Sequence, residues 1–147
     1  PVDGEQMFSY DDRPISGRAS PYGLDIAIYR DADEAVGHVT LRAAHEGAPG
    51  RSHGGIVSAL FDDLYGFLLA IALQPAFTGT LSVRYERGVP IGVPLECRVR
   101  LDRTEGRKMY MSGELTSVAD EGVLVTHSRS TAIFIMIPPG GYAAALD

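Results

Sequence analysis

Hydrophobic residues along the chain follow two periods, one typical of a long helix and one typical of strands. Over residues 53–73 apolar side chains fall on nearly every side of a helix, with the carboxylates of Asp62 and Asp63 in the middle. A helix that is apolar all round belongs inside a domain. We therefore predict one buried helix over residues 53–73, with Ser52 as its N-cap and an end forced by Pro75, whose predecessor is biased out of helical conformation.

Alternation of apolar and polar residues indicates strands on both sides of this helix. Residues 1–21 show little periodicity and are expected to form an irregular arm, or a short helical piece, lying over a domain of residues 22–147. Two strands, a helix and four strands form an α+β arrangement, in which an antiparallel sheet wraps around one central helix. The six predicted strands are residues 24–29, 36–43, 80–85, 95–101, 109–116 and 123–137.

Composition indicates one globular domain with an acidic surface. The chain has 147 residues, of which 45% are hydrophobic, and its formal charge is −6. Nucleic acids and anionic membranes favour basic partners, so we expect neither. The apolar run over residues 64–73 is too short to span a membrane. The single Cys97 makes no internal disulfide, so a reducing, cytoplasmic location is expected, although the chain begins at Pro1 and not at a methionine.

Two features of the helix suggest a functional site. A buried, unpartnered carboxylate is costly, so Asp62 and Asp63 lie either on the helix surface or at a site. Adjacent helical residues are about 100° apart, so at most one of the two faces a given site, and spacing alone does not choose between them. After His53, the glycines Gly54 and Gly55 leave backbone N–H groups open to close approach, which outlines a pocket for an anion or an oxyanion.

Other catalytic classes have little support in the sequence. The other histidines are scattered, with no carboxylate or cysteine at metal-ligand spacing, so no metal is expected. Cys97 lies in an alternating strand and is expected to be a small core residue. Neither Ser58 nor Ser82 lies in a G-x-S-x-G elbow, which disfavours a serine hydrolase.

The HGG motif, followed by six residues and then Asp62, resembles the signature of the acyl-CoA thioesterases of the hotdog superfamily, in the phenylacetate-pathway (PaaI-like) branch. Three longer stretches occur in the order of that family. EGAPGRSHGG resembles its lead-in, TGTLSVRYERGVPIG its central strand, and EGRKMYMSGEL its returning hairpin. The resemblance extends over roughly residues 22–137, and residues 1–21 have no match.

This resemblance implies roles for individual residues. It selects Asp62 as the general base or the nucleophile, which leaves Asp63 as a structural or interface carboxylate. The Gly55 amide would polarise the thioester carbonyl. Thr78 lies where this branch often has a hydroxyl that holds the attacking water, and an ordinary strand-entry threonine is the alternative. His53 would line the site together with the neighbouring glycine, Gly54, and would fix the loop before the helix instead of transferring a proton.

Basic residues suggest a place for the phosphates of coenzyme A. Seven of the 13 basic residues fall within residues 84–108, against four acidic residues there. Solvated strand faces would explain such a cluster equally well. Arg107 and Lys108 lie in the turn that resembles the family, so we predict that these two contact the phosphates.

Two functions of different class follow, with no cofactor in either. The first is an acyl-CoA thioesterase, and the second is a non-catalytic module that binds acyl-CoA. A hotdog hydratase ranks last, because its motifs with a catalytic histidine are missing. The family implies a homodimer or a dimer of dimers. Gly55 and Asp62 are separated by about 10 Å along a helix, so we predict that each site combines Gly55 of one subunit with Asp62 of its partner.

Overall fold

The computed structural model describes residues 2–8 and 13–141, which form one helix and one sheet. Short 3₁₀ turns at Ala43–His45 and Asp120–Gly122 join some of the elements. The α+β class predicted from the sequence is confirmed. In chain order the elements are β1 (Gln6–Met7), β2 (Ala27–Asp31), β3 (Glu34–Thr40), α1 (Gly54–Ala72), β4 (Ala76–Tyr85), β5 (Pro94–Glu105), β6 (Lys108–Val118) and β7 (Leu124–Met136).

All seven strands belong to a single antiparallel sheet in the order β1-β2-β3-β5-β6-β7-β4. The strand that the sequence did not predict is β1, which pairs Gln6 with Tyr29 and so ties the arm to the edge of the sheet. The first predicted strand starts at Ala27 and not at residue 24, because Asp25 has a positive φ of 50° that interrupts extended backbone. At the opposite edge, β4 pairs only with β7.

The ends of α1 are fixed by local hydrogen bonds and by proline. Its N-cap is His53, whose Nδ1 accepts the Gly55 N–H at 2.9 Å. The prediction of Ser52 as the cap is wrong, because its hydroxyl donates to the His53 carbonyl instead. At the other end Leu73 adopts a left-handed conformation, with φ of 53°, shortly before Pro75, which agrees with the predicted stop.

One stripe of α1 packs against the inner face of the sheet. The helix approaches β3 closely at Gly37, where an added Cβ would lie 3.2 Å from a methyl group of Leu64. The opposite stripe, which includes Gly66 and Ala70, is exposed. Burial of each large apolar side chain contributes about 1.5–3 kcal/mol to folding. The buried stripe consists of Val57, Leu60, Phe61, Leu64, Tyr65 and Leu68.

The length of α1 bears on the expectation that no segment spans a membrane. With 19 residues and a mean hydropathy of 1.6 over its best window, α1 is long and apolar enough to cross a bilayer. The apolar run over residues 64–73 thus belongs to a longer helix, and its own length does not exclude a membrane span. A single such helix is weak evidence, since the core helix of a globular domain meets the same criteria. The absence of a membrane span stays a prediction.

Candidate active site

A hydroxyl and a carboxylate meet where β4 runs beside the middle of α1. Thr78 Oγ1 donates a hydrogen bond to Asp62 Oδ1 at 2.8 Å. The two residues come together because the chain reverses at Leu73 and β4 then runs back toward the start of α1. The sequence predicted both residues for the site, and the structure brings them into direct contact.

Asp62 and Thr78 border an open pocket of about 560 Å³. Its helical side includes Gly66, where an added Cβ would meet no atom within 4 Å. The arm reaches the same pocket through Phe8 and Arg13. Apolar side chains in a pocket next to a carboxylate can hold an acyl group beside a reactive oxygen. The remaining lining residues are Asp63, Phe67, Leu69, Ala70, Ala76, Phe77 and Phe134.

Asp63 points toward the arm and not toward Thr78. Burial raises the pKa of its carboxyl, while a hydrogen bond from Ser16 and the charge of Arg13 act in the opposite direction, and the nearby charge of Asp62 raises it further. Its Oδ2 is buried and has no hydrogen-bond partner among the residues described. This environment agrees with the interpretation of Asp63 as a structural carboxylate.

The two glycines at the start of α1 are held by side chains on both sides. The Gly55 N–H, which the sequence predicted as the donor to a thioester, is engaged by His53 Nδ1 at 2.9 Å. The Tyr85 hydroxyl donates to the Gly54 carbonyl at 2.7 Å and lies 2.8 Å from Ser58 Oγ. A substrate oxygen must therefore share the Gly55 N–H with His53 or displace the imidazole ring.

Sequence reasoning missed Tyr85 and considered Ser58 only as a nucleophile. Alternation placed Tyr85 on the same strand face as Leu81 and Val83, which pack against the core. That pattern was the available signal that the ring turns toward the helix. The pattern of the sequence does not indicate which helical residue meets the hydroxyl.

Arg107 and Lys108, the two residues predicted to contact phosphate, lie near the end of β4 that is closest to Asp62. Lys108 pairs with Ile135 of β7, and Phe77 of β4 pairs with the same residue from the other side. The Arg107 guanidinium donates to the Met136 carbonyl at 3.1 and 3.3 Å, so it is partly used by the backbone. Lys108 is exposed.

Other members of the basic cluster stabilise the outer face of the sheet. Arg103 pairs with Glu105 and lies over the ring of Tyr110. Hydrogen bonds to carboxylates raise the pKa of the Arg98 and Arg100 guanidiniums against the effect of burial. These three arginines are therefore engaged by carboxylates or by a ring on the strand face. The partners of Arg98 and Arg100 are Asp31, Glu34, Glu96 and Glu114.

Two other side chains with reactive groups, Cys97 and His127, are buried. Cys97 is fully buried, and burial raises the pKa of its thiol, which agrees with the predicted core role. His127 Nε2 lies 2.7 Å from Ser117 Oγ, and both side chains are buried. Within residues 2–8 and 13–141, no three His, Cys, Asp or Glu side chains come together in a way that would hold a metal ion.

Comparisons with known proteins place the chain in a family. Residues 49–123, just over half of the chain, match the family model described as the thioesterase superfamily. Among curated proteins, the acyl-coenzyme A thioesterase THEM4 of Xenopus laevis is 30% identical over 94 residues, which cover 64% of this chain and 41% of that protein. The chain spans half or less of the length of the curated relatives it matches.

Solved structures share the architecture. A thioesterase superfamily protein is 25% identical with a TM-score of 0.77, covering 85% of this chain and 63% of its own. The PaaI protein of the E. coli phenylacetic acid degradation operon is 17% identical with a TM-score of 0.68, covering 78% of this chain and 80% of its own. Two further neighbours of this fold were solved with coenzyme A and with acetyl-CoA. The chain therefore belongs to the thioesterase superfamily and has the hotdog fold that its HGG and Asp62 motif predicted.

Proposed function

We propose that this chain is an acyl-CoA thioesterase in which Asp62 is the general base or the nucleophile. The observation that carries the proposal is the Asp62 carboxylate, hydrogen-bonded by Thr78 at 2.8 Å at the border of an open pocket that several apolar side chains line. The acyl-coenzyme A thioesterases among its relatives, and the neighbours solved with coenzyme A or acetyl-CoA, support this substrate class.

The hydrogen bond from Thr78 gives the two oxygens of Asp62 different roles. The bond fixes Oδ1, and we assign the reaction to Oδ2. As a general base, Oδ2 takes a proton from water while the water oxygen attacks the thioester carbon and the C–S bond breaks. As a nucleophile, Oδ2 attacks the same carbon, coenzyme A leaves as the thiolate, and water hydrolyses the resulting anhydride. Both routes release the free acid and coenzyme A.

The donor assigned to the carbonyl oxygen is the Gly55 amide, which does not lie beside Asp62 of the same chain. Gly55 lies about 10 Å from Asp62 along α1, whereas reacting groups must come within about 3–3.5 Å. The edge strand β4 carries Thr78 near its start and Tyr85, which contacts Gly54, at its end. Antiparallel pairing of β4 with a second copy would bring the Gly55 end of one subunit to the Asp62 end of the other.

Two further observations support a homodimer, alone or assembled into a dimer of dimers. The edge of β4 is ten residues long and pairs on one side only, and unprotected edges of this length are unusual in stable monomers. Phe77 and Tyr85, near its two ends, are 51% and 50% exposed. A partner would cover both rings and the open stripe of α1.

Assigned this way, the site holds each part of an acyl-CoA. The pocket beside Gly66 takes the acyl group, and Lys108, with Arg107 near it, takes phosphate groups at the surface. Four phenylalanine side chains line the pocket, which suits an apolar acyl or aryl group. These residues are Phe8, Phe67, Phe77 and Phe134.

A substrate panel tests the proposal directly. Purified protein is mixed with short-, medium- and long-chain and aryl-CoA thioesters, and thiol release is measured beside equilibrium binding of each compound. Multiple turnovers with at least one class are expected. Tight binding of acyl-CoA without thiol release by any of them would establish the alternative, a non-catalytic acyl-CoA-binding module, and would overturn the enzyme assignment.

A further inference from the structure

Tyr85, the last residue of β4, reaches the start of α1 and contacts one particular peptide. Its hydroxyl donates to the Gly54 carbonyl at 2.7 Å, and its ring lies over Gly54, where an added Cβ would lie 3.5 Å from the hydroxyl oxygen. Because Tyr85 uses its only proton in this bond, the hydroxyl of Ser58, 2.8 Å away, must act as the donor to Tyr85. The result is a chain of donors that runs from Ser58 through Tyr85 to Gly54.

The carbonyl that Tyr85 contacts belongs to the same peptide group as the Gly55 N–H. In a trans peptide the C=O and the N–H point in opposite directions, and resonance couples them. A hydrogen bond to the oxygen draws electron density from the nitrogen and makes the N–H a stronger donor, as in any cooperative chain of hydrogen bonds. Tyr85 therefore affects how strongly the Gly55 N–H donates, without contacting the group that accepts this N–H.

His53 holds the same peptide from the other side. Its Nδ1 accepts the Gly55 N–H at 2.9 Å, which caps the helix. When a substrate oxygen takes this N–H, the cap weakens or is lost. The bond from Tyr85 to the Gly54 carbonyl does not depend on His53, so it keeps the peptide in place while the partner of the N–H changes.

Stability alone does not account for this arrangement. In a single chain Tyr85 is half exposed, and in the proposed dimer the partner would cover its ring. Burial of the ring would be served equally well by phenylalanine, which has no hydroxyl. The same hydroxyl nevertheless engages two groups of α1 on a strand that is otherwise mostly exposed. Its contacts with Ser58 and Gly54 fall on the turn of the helix that carries the proposed donor.

We propose that Tyr85 is a positioning residue for the oxyanion site, which orients and polarises the peptide between Gly54 and Gly55, with Ser58 as its support. The inference rests on the proposed function, in which the Gly55 amide binds the thioester oxygen. Tyr85 makes no contact with substrate in this assignment. Its contribution is to the charge that develops on the carbonyl oxygen in the transition state.

The test compares Tyr85→Phe with a matched control, Tyr22→Phe. The control removes the hydroxyl of an exposed ring in the loop before β2. Tyr85→Phe is expected to lower kcat about 3- to 10-fold, the size of one ordinary net hydrogen bond, with KM unchanged. Tyr22→Phe should change neither. Ser58→Ala removes only the donor behind Tyr85, favours the helix, and should give a smaller loss of kcat.

A second measurement is independent of turnover. In protein labelled with [¹⁵N]glycine, the Gly55 amide proton should move upfield in Tyr85→Phe, because a weaker donor is less deshielded, and should not move in Tyr22→Phe. An unchanged Gly55 resonance, or an unchanged kcat in a wild type that hydrolyses thioesters, overturns the inference and leaves the thioesterase assignment intact. A wild type that hydrolyses no thioester overturns the proposed function first. If Tyr85→Phe does not fold, Ser58→Ala with the same two measurements decides.

Discussion

Thr78 donates a hydrogen bond to Asp62 across a reversal of the chain, at 2.8 Å. Helix and strand each place one of these residues, and only the turn around Leu73 and Pro75 brings them together. In the proposed mechanism, the other carboxylate oxygen of Asp62 acts on the substrate. The bond also distinguishes the environment of Asp62 from that of Asp63, whose carboxyl faces the arm.

The first prediction separates the two adjacent carboxylates. Asp62→Asn should lower kcat by roughly 10²-fold or more, the usual size of the loss of a general base, with less effect on KM. Asp63→Asn is the matched control and should retain most of the activity. Initial rates over a range of acyl-CoA concentrations give both constants. Equal losses in two folded variants would contradict the assignment of Asp62.

Asp63 should instead control how stability depends on pH. Its pKa is raised in the folded protein above the ordinary value of 3.8, so the native state holds this proton more tightly than the unfolded chain. Stability from this group is complete below that value and is lost as pH rises through the folded pKa. Asp63→Asn removes this titration, so its Tm relative to wild type should increase from about pH 3.5 to pH 7.

Thermal unfolding across this pH range checks the Asp63 prediction. Asp120→Asn, on an exposed 3₁₀ turn, is the control for the loss of one negative charge. A Tm difference for Asp63→Asn that does not change with pH, or that follows the Asp120→Asn control, would show that burial of this carboxyl has no energetic consequence.

The sequence predicted the helix, six of the seven strands and the two residues of the Thr78–Asp62 contact, for identifiable reasons. The end of the helix before Pro75 and the alternation of apolar and polar residues in β4 to β7 are local properties, which can be recognised directly in the sequence. The cap could not be assigned in this way. Ser52 is the better cap by residue type, but the His53 ring reaches the Gly55 N–H, where an added Cβ on Gly55 would crowd its Nδ1 at 3.1 Å.

Contacts between distant elements were beyond the reach of such patterns. The strand β1 has only two residues, too few for any period, and the partners of Tyr85 depend on how β4 lies across α1. The basic cluster looked uniform in the sequence. Only the pairing of β3 with β5 showed that Arg98 and Arg100 face the carboxylate of Glu34.

Two substitutions of Gly66 should change stability and acyl-chain selectivity separately. Glycine inside a helix costs about 0.5–1 kcal/mol relative to alanine, and an added Cβ here meets no atom within 4 Å. Gly66→Ala should therefore raise Tm. Because the residue lines the pocket, Gly66→Val should lower kcat/KM for long acyl chains at least several-fold more than for acetyl-CoA. The same loss for every chain length would contradict this placement of the acyl group.

The basic turn should recognise phosphate and not the acyl group. Replacement of Arg107 and Lys108 by Ala should raise KM for acyl-CoA and leave hydrolysis of an acyl-pantetheine nearly unchanged, because that substrate lacks the phosphates. Of the single variants, Lys108→Ala should have the larger effect, since Arg107 is partly engaged by the Met136 carbonyl. Added salt should mimic the double variant. Equal responses of the two substrates would mean that this turn is only a solvated surface.

The shared site predicts that two inactive variants restore activity to each other. Asp62→Ala removes the carboxylate, and Gly55→Pro removes the N–H in the first turn, where proline is tolerated. Each variant alone should be nearly inactive, whereas a mixed dimer would contain one doubly damaged site and one intact site. Random pairing makes about half the dimers mixed, so refolding the two together should restore roughly a quarter of wild-type activity. Mass spectrometry measures the mixed dimers. If mixed dimers form and no activity returns, Gly55 and Asp62 must act within one chain. A single substrate would then have to extend over the roughly 10 Å that separate the two residues along the axis of α1.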